Sequence, residues 1–267
     1  MSVGKSKRSG GSKIVTGSQK IIPGCEPLSL DGNDKGVLLL HGLTACPYEL
    51  RELAEEIHNR GFTVRVPLLP GHGTAPENLQ TVSWYDWYDS VKRSLFELRK
   101  KCRKIIVGGL STGASLALHL SAHYQVEGVM ALSPGMFLKS KAVSLVPILK
   151  YFIKYHTKKD GPDIFDEKAR RSSIGYNKIP LKSIAEAQDL YRHLQKDLSD
   201  IYVPLFIAQS VNDHVVKFEG AEYIYKAVSS ADKQFLRMTK SYHVLTQDVE
   251  KDIVIREVIK FLERIFK

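Results

Sequence analysis

The chain is poor in cysteine, with only three among its 267 residues. Cys25, Cys46 and Cys102 are too few and too widely spaced for a disulfide framework or a cysteine-bound metal site. Because disulfides persist mainly in oxidising compartments, a reducing compartment is the simplest interpretation. We therefore expect a cytoplasmic protein.

Long apolar runs and cofactor motifs are also missing. No segment approaches the about 20 apolar residues that a membrane-spanning helix needs, and the N-terminus lacks the apolar core of a signal peptide. No histidines have zinc-ligand spacing, and the glycine-rich stretch 108–113 lacks the lysine of a phosphate-binding loop. The sequence predicts a soluble protein that uses neither a metal nor an organic cofactor.

Short apolar runs alternate with helical patterns along most of the chain. A chain of this length with 43% hydrophobic residues can bury one large core. Alternation of strands and helices predicts an α/β fold with a mostly parallel sheet covered by helices on both faces. The predicted strands lie near residues 37–41, 62–67, 104–109, 128–133, 204–209 and 234–239.

The most informative motif is G-x-S-x-G at residues 109–113. It follows the apolar run Lys104–Gly108, which is typical of a buried strand, and precedes alanines and leucines that favour a helix. Between a strand and a helix, this motif is a nucleophile elbow that exposes the serine hydroxyl. A Cβ at Gly109 or Gly113 would collide where the helix doubles back across the strand. Ser111 is therefore the predicted nucleophile.

A serine hydroxyl needs a base, and in this kind of site the order along the chain is serine, then an acid, then histidine. Asp213 follows an apolar run that predicts a strand, so it would lie at the strand end. Seven of the nine histidines precede Asp213, and the side chain of adjacent His214 should diverge from it, which leaves His243. We predict a triad of Ser111, Asp213 and His243. The alternative is that all three are ordinary polar surface residues. Their order along the chain would then match that of a triad only by chance.

Backbone amides should stabilise the oxyanion of such a reaction. The N–H of Thr112, directly after the nucleophile, is one expected donor, and the N–H of Leu43, after the predicted strand 37–41, is the other. His41 in the same turn is expected to order the loop instead of acting as a catalyst. Because neutral His243 is the predicted base, the rate should rise with pH through about 6 to 7.

These motifs occur in the order found in the α/β-hydrolase superfamily. From about Cys25 to its C-terminus, the chain resembles the bacterial monoacylglycerol lipases and the related small carboxylesterases of that superfamily. The segments that carry the resemblance are His41–Thr44, Gly71–Thr74, Gly109–Gly113, Asn212–Val216 and Ser241–Val244.

The resemblance implies an α/β-hydrolase fold, with Ser111, Asp213 and His243 as nucleophile, acid and base. It implies a serine hydrolase that cleaves carboxylic esters through an acyl-enzyme, foremost a monoacylglycerol lipase that releases fatty acid and glycerol. A broad carboxylesterase for short and medium chains, a thioesterase, and a non-catalytic lipid-binding protein on the same fold remain alternatives. The chain departs from the family pattern at Thr112 and Ala114. These departures leave the triad intact and are expected to change the wall of the acyl pocket, and with it the acyl preference.

A long insertion at about 135–200 is expected to form a small lid on a hydrolase domain of residues 23–267, because it far exceeds an ordinary connection. Leu145, Ile148 and Phe152 are its candidate substrate-binding residues. They would wall an acyl tunnel or touch a lipid surface, or they would pack the lid onto the body.

The formal net charge of +10 is concentrated in two places. Residues 1–25 carry five basic and no acidic residues, and residues 135–200 carry thirteen basic and eight acidic ones. One interpretation is that both basic segments make weak peripheral contact with an anionic membrane. The other is a solvated lid and a flexible basic leader at residues 1–22. The basic segments lack interleaved aromatics, so no nucleic-acid partner is expected, and the sequence predicts no oligomeric state.

Overall fold

The central sheet has the predicted α/β arrangement. The computed structural model describes residues 20–267. The strands are β1 (Leu28–Leu30), β2 (Lys35–Leu40), β3 (Thr63–Val66), β4 (Lys104–Leu110), β5 (Gly128–Leu132), β6 (Tyr155–Thr157), β7 (Lys178–Pro180), β8 (Leu205–Ser210) and β9 (Lys233–Met238). Within the described residues, seven of them form one sheet in the order β1-β3-β2-β4-β5-β8-β9. Only β1 pairs in the antiparallel sense, so the prediction of a mostly parallel sheet is confirmed.

The helices follow the strands in alternation. They are α1 (Arg51–Asn59), α2 (Pro76–Leu79), α3 (Trp84–Arg99), α4 (Thr112–His123), α5 (Val146–Leu149), α6 (Glu167–Ser172), α7 (Leu181–Asp197), α8 (Phe218–Ala227) and α9 (Lys251–Ile265). All six predicted strands are present. The strands that were not predicted, β1, β6 and β7, have three residues each and are too short for a periodic pattern.

Side chains of each central strand alternate between two cores, as the pleat requires. In β2, Leu38 and Leu40 pack into the core that contains α3, α4, α7 and α8. Val37 and Leu39 point to the other face, where α1 and α9 cover the sheet. Because both faces are buried, the strand is apolar at every one of these positions.

The turn between β4 and α4 depends on close backbone contact. Ser111 has φ of 57°, in the left-handed region that side chains rarely adopt. A Cβ at Gly109 or at Gly113 would overlap the Leu40 carbonyl oxygen of neighbouring β2. Glycine at both positions therefore lets α4 start directly against β2, as the motif predicted.

The insertion between β5 and β8 has its own small framework. It contains α5, the antiparallel β6–β7 pair, α6 and α7. Pro147 lies in the first turn of four-residue α5, so the apolar stretch of the insertion does not form one continuous helix. Helix α7 packs on α4 and α3, and this packing attaches the insertion to the body.

The hydrolase domain begins slightly before residue 23, its predicted first residue. Most of the predicted leader, residues 1–19, lies outside the described residues. The Ile22 N–H, however, donates a hydrogen bond to the Gly73 carbonyl at 2.8 Å, so Ile22 already belongs to the body. Among residues 20–267, no helix is long and apolar enough to cross a bilayer.

The expectation of unpaired cysteines is wrong for two of the three. Cys25 and Cys46, which are 21 residues apart and fully buried, form a disulfide. Cys102 is buried and free. The pair joins the first turn of the body to the loop after β2, a contact made only in the folded chain. The low cysteine count therefore does not argue for a reducing compartment.

Thiol titration tests this disulfide. Protein purified without reductant and then denatured should show one reactive thiol, from Cys102, and three after reduction. Replacing Cys25 and Cys46 together by serine should lower the free energy of unfolding by about 3 kcal/mol, because a loop of this length is no longer closed in the unfolded chain. Cys102→Ser is the control and should leave no thiol before reduction. Three thiols in unreduced protein would contradict the pairing.

Candidate active site

Asp213 and His243 come from different loops and meet in the interior. Asp213 follows β8 and His243 follows β9, adjacent parallel strands whose carboxyl ends lie at the same edge of the sheet. The Asp213 Oδ2 is 2.7 Å from His243 Nδ1, and both side chains are buried. The carboxylate also accepts hydrogen bonds from the Val215 and Val216 amides and from the Gln209 side chain. These contacts hold the proton on Nδ1 and leave Nε2 free.

Opposing effects determine the pKa of this pair. Burial by itself raises the pKa of Asp213, but the His243 charge and hydrogen bond and the donors around the carboxylate bring it below its usual value. Burial by itself lowers the pKa of His243, but Asp213, followed by Asp163 and Glu49, raises it above its usual value. The arrangement favours an imidazole that gains a proton readily.

Ser111 lies in the same cavity as His243, which has a volume of about 580 Å³. The structure brings all three predicted triad residues to this edge of the sheet. Among the contacts of residues 20–267, no hydrogen bond joins Ser111 Oγ to His243 Nε2. Catalytic hydrogen bonds are often long in unliganded enzymes, so this geometry is compatible with the predicted roles of the two residues.

The two predicted oxyanion donors also line this cavity. Within the described part of the chain, the N–H groups of Leu43 and Thr112 have no hydrogen-bond acceptor. Thr112 is the first residue of α4, where the helix dipole adds to the attraction for negative charge. Both amides are thus available to an incoming oxygen.

The loop that carries Leu43 is held from two sides. Glu49, buried behind it, accepts the Gly42 N–H through Oε1 at 2.5 Å. From the insertion, Lys158 Nζ donates to Thr44 Oγ1 at 2.7 Å, and the Tyr176 N–H donates to the Thr44 carbonyl at 2.7 Å. These contacts fix the amides around Leu43 while its own N–H stays free.

Burial raises the pKa of Glu49 to about 7, against the opposing effects of the Gly42 amide, His243 and Lys158. Burial lowers the pKa of Lys158 to about 8, although Glu49 and Asp163 oppose it. The pKa values of Glu49, which interacts with His243, and of Lys158, which interacts with Glu49, are thus both shifted toward neutral pH.

The other histidines of this region have structural contacts. His41 is buried, and its Nε2 accepts the Leu69 N–H while Nδ1 donates to the Gly42 carbonyl, so it orders the loop. His214 pairs with Asp163 of the insertion at 2.9 Å instead of with Asp213. Asp163 Oδ2 also accepts the His243 N–H at 3.2 Å, and this carboxylate connects the insertion to the loop of the predicted base.

None of the three residues of the insertion that were predicted to bind substrate lies in this cavity. Leu145, Ile148 and Phe152 are not among the residues that line the cavity; they are 53%, 63% and 82% exposed. The stretch bends at the short helix α5, which turns these side chains outward. The apolar side chains that the insertion contributes to the cavity are instead Leu138, Val143, Ile174, Tyr176, Ile179, Ile184, Ala187 and Tyr191.

The two departures from the family pattern have different positions. Ala114 is fully buried in the core and is not part of the cavity lining. Thr112 lines the cavity, and its Oγ1 is 2.8 Å from the Tyr191 hydroxyl of α7. This hydroxyl pair connects the residue after the predicted nucleophile to the insertion.

Several residues of the site had no local signal. Glu49 lies in a segment with an amphipathic helical pattern, in which a glutamate is expected on the surface. Lys158 and Asp163 occur in a polar stretch of the insertion that predicts a solvated loop. Glu49, Lys158 and Asp163 contact His41–Thr44 or His243 only in the folded chain, and no sequence motif connects them to those segments.

Comparison with known proteins finds relatives that match most of the chain. A family model described as serine aminopeptidase S33 matches residues 32–250. The thermostable monoacylglycerol lipase of Bacillus sp. (strain H-257) is 30% identical over 248 residues, which cover 91% of this chain and 96% of that protein. The carboxylesterase of Bacillus subtilis (strain 168) is 32% identical over 243 residues, which cover 90% of this chain and 97% of that one.

The fold comparison leads to the same group of proteins. A solved structure described with LipS and LipT, two metagenome-derived lipolytic enzymes, has a TM-score of 0.88 and 28% sequence identity. The match covers 92% of this chain and 100% of that one. The predicted α/β-hydrolase fold is confirmed, and the chain belongs to the α/β-hydrolase family whose model is described as serine aminopeptidase S33.

Proposed function

We propose that the chain is a carboxylic ester hydrolase that cleaves monoacylglycerols through an acyl-enzyme on Ser111. The observation that carries the proposal is the buried Asp213–His243 pair, joined at 2.7 Å, which opens into the same cavity as a serine at a strand–helix turn. The similarity to a monoacylglycerol lipase over most of both chains supports the substrate class.

The reaction follows from these groups. His243 Nε2 takes the Ser111 proton as Oγ attacks the ester carbonyl, and Asp213 stabilises the resulting imidazolium. The carbonyl oxygen becomes an oxyanion that accepts hydrogen bonds from the Leu43 and Thr112 amides. His243 then donates its proton to the departing alcohol, and a water molecule repeats the sequence to release the carboxylic acid.

The cavity suits an amphiphilic ester. Apolar side chains such as Leu138, Val143 and Ile184 can contact an acyl chain, while Thr44 and Lys158 present polar groups beside the oxyanion loop. A volume of about 580 Å³ is in the range of ordinary small-molecule sites. The similarity to a carboxylesterase keeps cleavage of simpler esters as a second candidate.

A substrate panel with Ser111→Ala tests the function. We expect 1-monoacylglycerol to have a higher kcat/KM than short p-nitrophenyl esters or an acyl-CoA. Ser111→Ala should lose about 10⁴-fold or more of the activity, because the attacking oxygen is gone. A fluorophosphonate probe should label the unaltered protein only at Ser111. Ser94→Ala, at a half-buried serine of α3 whose hydroxyl donates to the Ser90 carbonyl, is the matched control and should keep both activity and labelling.

Outcomes of this panel separate the candidates. A preference for short esters over monoacylglycerol would favour the carboxylesterase, and a preference for the thioester would favour a thioesterase. Undiminished turnover by Ser111→Ala would reject the acyl-enzyme itself.

The pH profile tests the role of His243. Because only neutral His243 accepts the serine proton, and its pKa is raised, kcat/KM should rise with pH and reach half its maximum above the usual histidine value of 6.5. Glu49→Gln removes a charge that favours the imidazolium, so the midpoint should move to lower pH. Glutamine keeps an acceptor for the Gly42 amide, so the maximal rate should stay close to that of the unaltered enzyme.

Glu49→Ala removes the acceptor as well as the charge. We expect its maximal kcat to fall by up to about 10²-fold, the lower cost of losing one oxyanion donor. Glu52→Gln, at an exposed glutamate that pairs with Lys251, is the control and should leave the profile unchanged. A midpoint unaffected by Glu49→Gln would show that this carboxylate does not act on His243.

The exposed apolar side chains of the insertion support weak contact with an anionic membrane. Ile148, Tyr151 and Phe152 are exposed in a segment that also carries Lys150 and Lys154. Apolar and basic side chains together are typical of interfacial segments. The predicted contribution of the basic leader concerns residues outside the described part of the chain.

Liposome co-sedimentation at low salt tests this contact. The protein should pellet with anionic vesicles more than with neutral ones, and Ile148→Ser with Phe152→Ser should reduce the bound fraction several-fold, because apolar surface is lost. Tyr202→Ser, at an aromatic residue outside the insertion that is also exposed, is the control. Equal pelleting with both kinds of vesicle would reject the proposal.

The cytoplasmic location stays a prediction. The Cys25–Cys46 disulfide weighs against it, because disulfides are rare in reducing compartments.

A further inference from the structure

We infer that His119, His123 and Asp197 form a binding site for a divalent metal ion, with Zn²⁺ as the best-suited ion. His119 and His123 lie four residues, or one turn, apart on α4, so the sequence-based prediction that no histidines have zinc-ligand spacing is wrong for this pair. Asp197 is the last residue of α7. One nitrogen of each histidine and one oxygen of the aspartate lie within 4.8 Å of one another. No other group of three such ligands occurs within residues 20–267.

The site is separate from the predicted catalytic centre. His119 and His123 follow Thr112, the first residue of α4, by about 10 and 16 Å along the helix axis. None of the three ligands lines the cavity that contains Ser111. A metal held here therefore takes no direct part in the ester chemistry proposed above.

One of the two distances to the carboxylate matches the ligand separation around a zinc ion, and the other is shorter. Two ligands bound tetrahedrally at about 2.1 Å from Zn²⁺ are about 3.4 Å apart. His123 Nε2 is 3.3 Å from Asp197 Oδ2, and His119 Nδ1 is 2.6 Å from the same oxygen. Both imidazoles thus converge on one carboxylate. Zinc would replace the hydrogen bond between His119 and Asp197, and these two ligand atoms would move apart by about 0.8 Å.

The charge around the carboxylate also favours a cation. Asp197 is mostly buried, yet in the described part of the chain its hydrogen-bond partners are only these two imidazoles, and no lysine or arginine pairs with it. Two neutral histidines and one carboxylate form a ligand set typical of zinc, with a fourth position left for water.

Packing holds the buried ligand in place. The His119 ring lies 4.6 Å from the Tyr88 ring and 5.5 Å from the Trp84 ring, centroid to centroid, so α3 limits its rotation. His123 is open to solvent and provides the entry path. The site thus combines a fixed ligand with an accessible one.

A bound ion would join two parts of the protein. Helix α4 belongs to the body, and α7 belongs to the insertion that covers the cavity. Near the active site the two helices are connected by Thr112 and Tyr191, and at the other end by this cluster. Zinc would therefore stabilise the attachment of the insertion.

Direct zinc binding tests the inference. After dialysis against EDTA, calorimetry with ZnCl₂ and elemental analysis should give one bound ion per chain, and Tm should rise with zinc. His123→Ala, at a half-exposed ring, and Asp197→Asn, which keeps the size of the side chain, should each weaken binding at least about tenfold. Circular dichroism checks that both variants are folded.

His243→Ala is the matched control, because it removes the imidazole of the other buried aspartate–histidine pair. It should keep the zinc affinity while losing ester hydrolysis. Zinc binding unchanged in both His123→Ala and Asp197→Asn, or lost in His243→Ala, would overturn the inference. So would an unaltered protein that binds no zinc at micromolar concentrations, since the cluster would then be a hydrogen-bonded contact only.

Discussion

The close approach of α4 to β2 is the constraint on which the site depends. Because Gly109 and Gly113 have no Cβ, the helix begins against the Leu40 carbonyl. The loop after β2 then lies beside the turn that carries Ser111, and the amides of Leu43 and Thr112 face one cavity. One steric condition thus positions the predicted nucleophile and both predicted oxyanion donors.

Around this turn, two buried carboxylates and one partly buried carboxylate surround a single imidazole. Asp213 bonds the His243 ring, Asp163 bonds its backbone, and Glu49 lies behind the oxyanion loop. All three favour the protonated ring, while burial opposes it. Since an imidazolium forms as the serine attacks, the environment is suited to the charge that develops in the proposed reaction.

The insertion has two different surfaces. Its inner side supplies apolar walls to the cavity and polar contacts to the oxyanion loop through Lys158 and Tyr176. Its outer side presents Ile148, Tyr151 and Phe152 to solvent. Helix α7 contacts both ends of α4, the helix that follows the predicted nucleophile, through Tyr191 with Thr112 and through Asp197 with His119.

The parallel sheet, its six principal strands, the glycines of the elbow and the order of Ser111, Asp213 and His243 could all be predicted from the amino-acid sequence. These features depend on local periodicity and on short motifs, which are visible along one stretch of chain. The folded chain was needed to show that Leu145, Ile148 and Phe152 face outward, that Glu49 supports the loop of the predicted oxyanion donor Leu43 and that Cys25 pairs with Cys46. Each of these depends on contacts between residues distant in the chain or on a bend in the insertion, and local sequence patterns carry no information about such contacts.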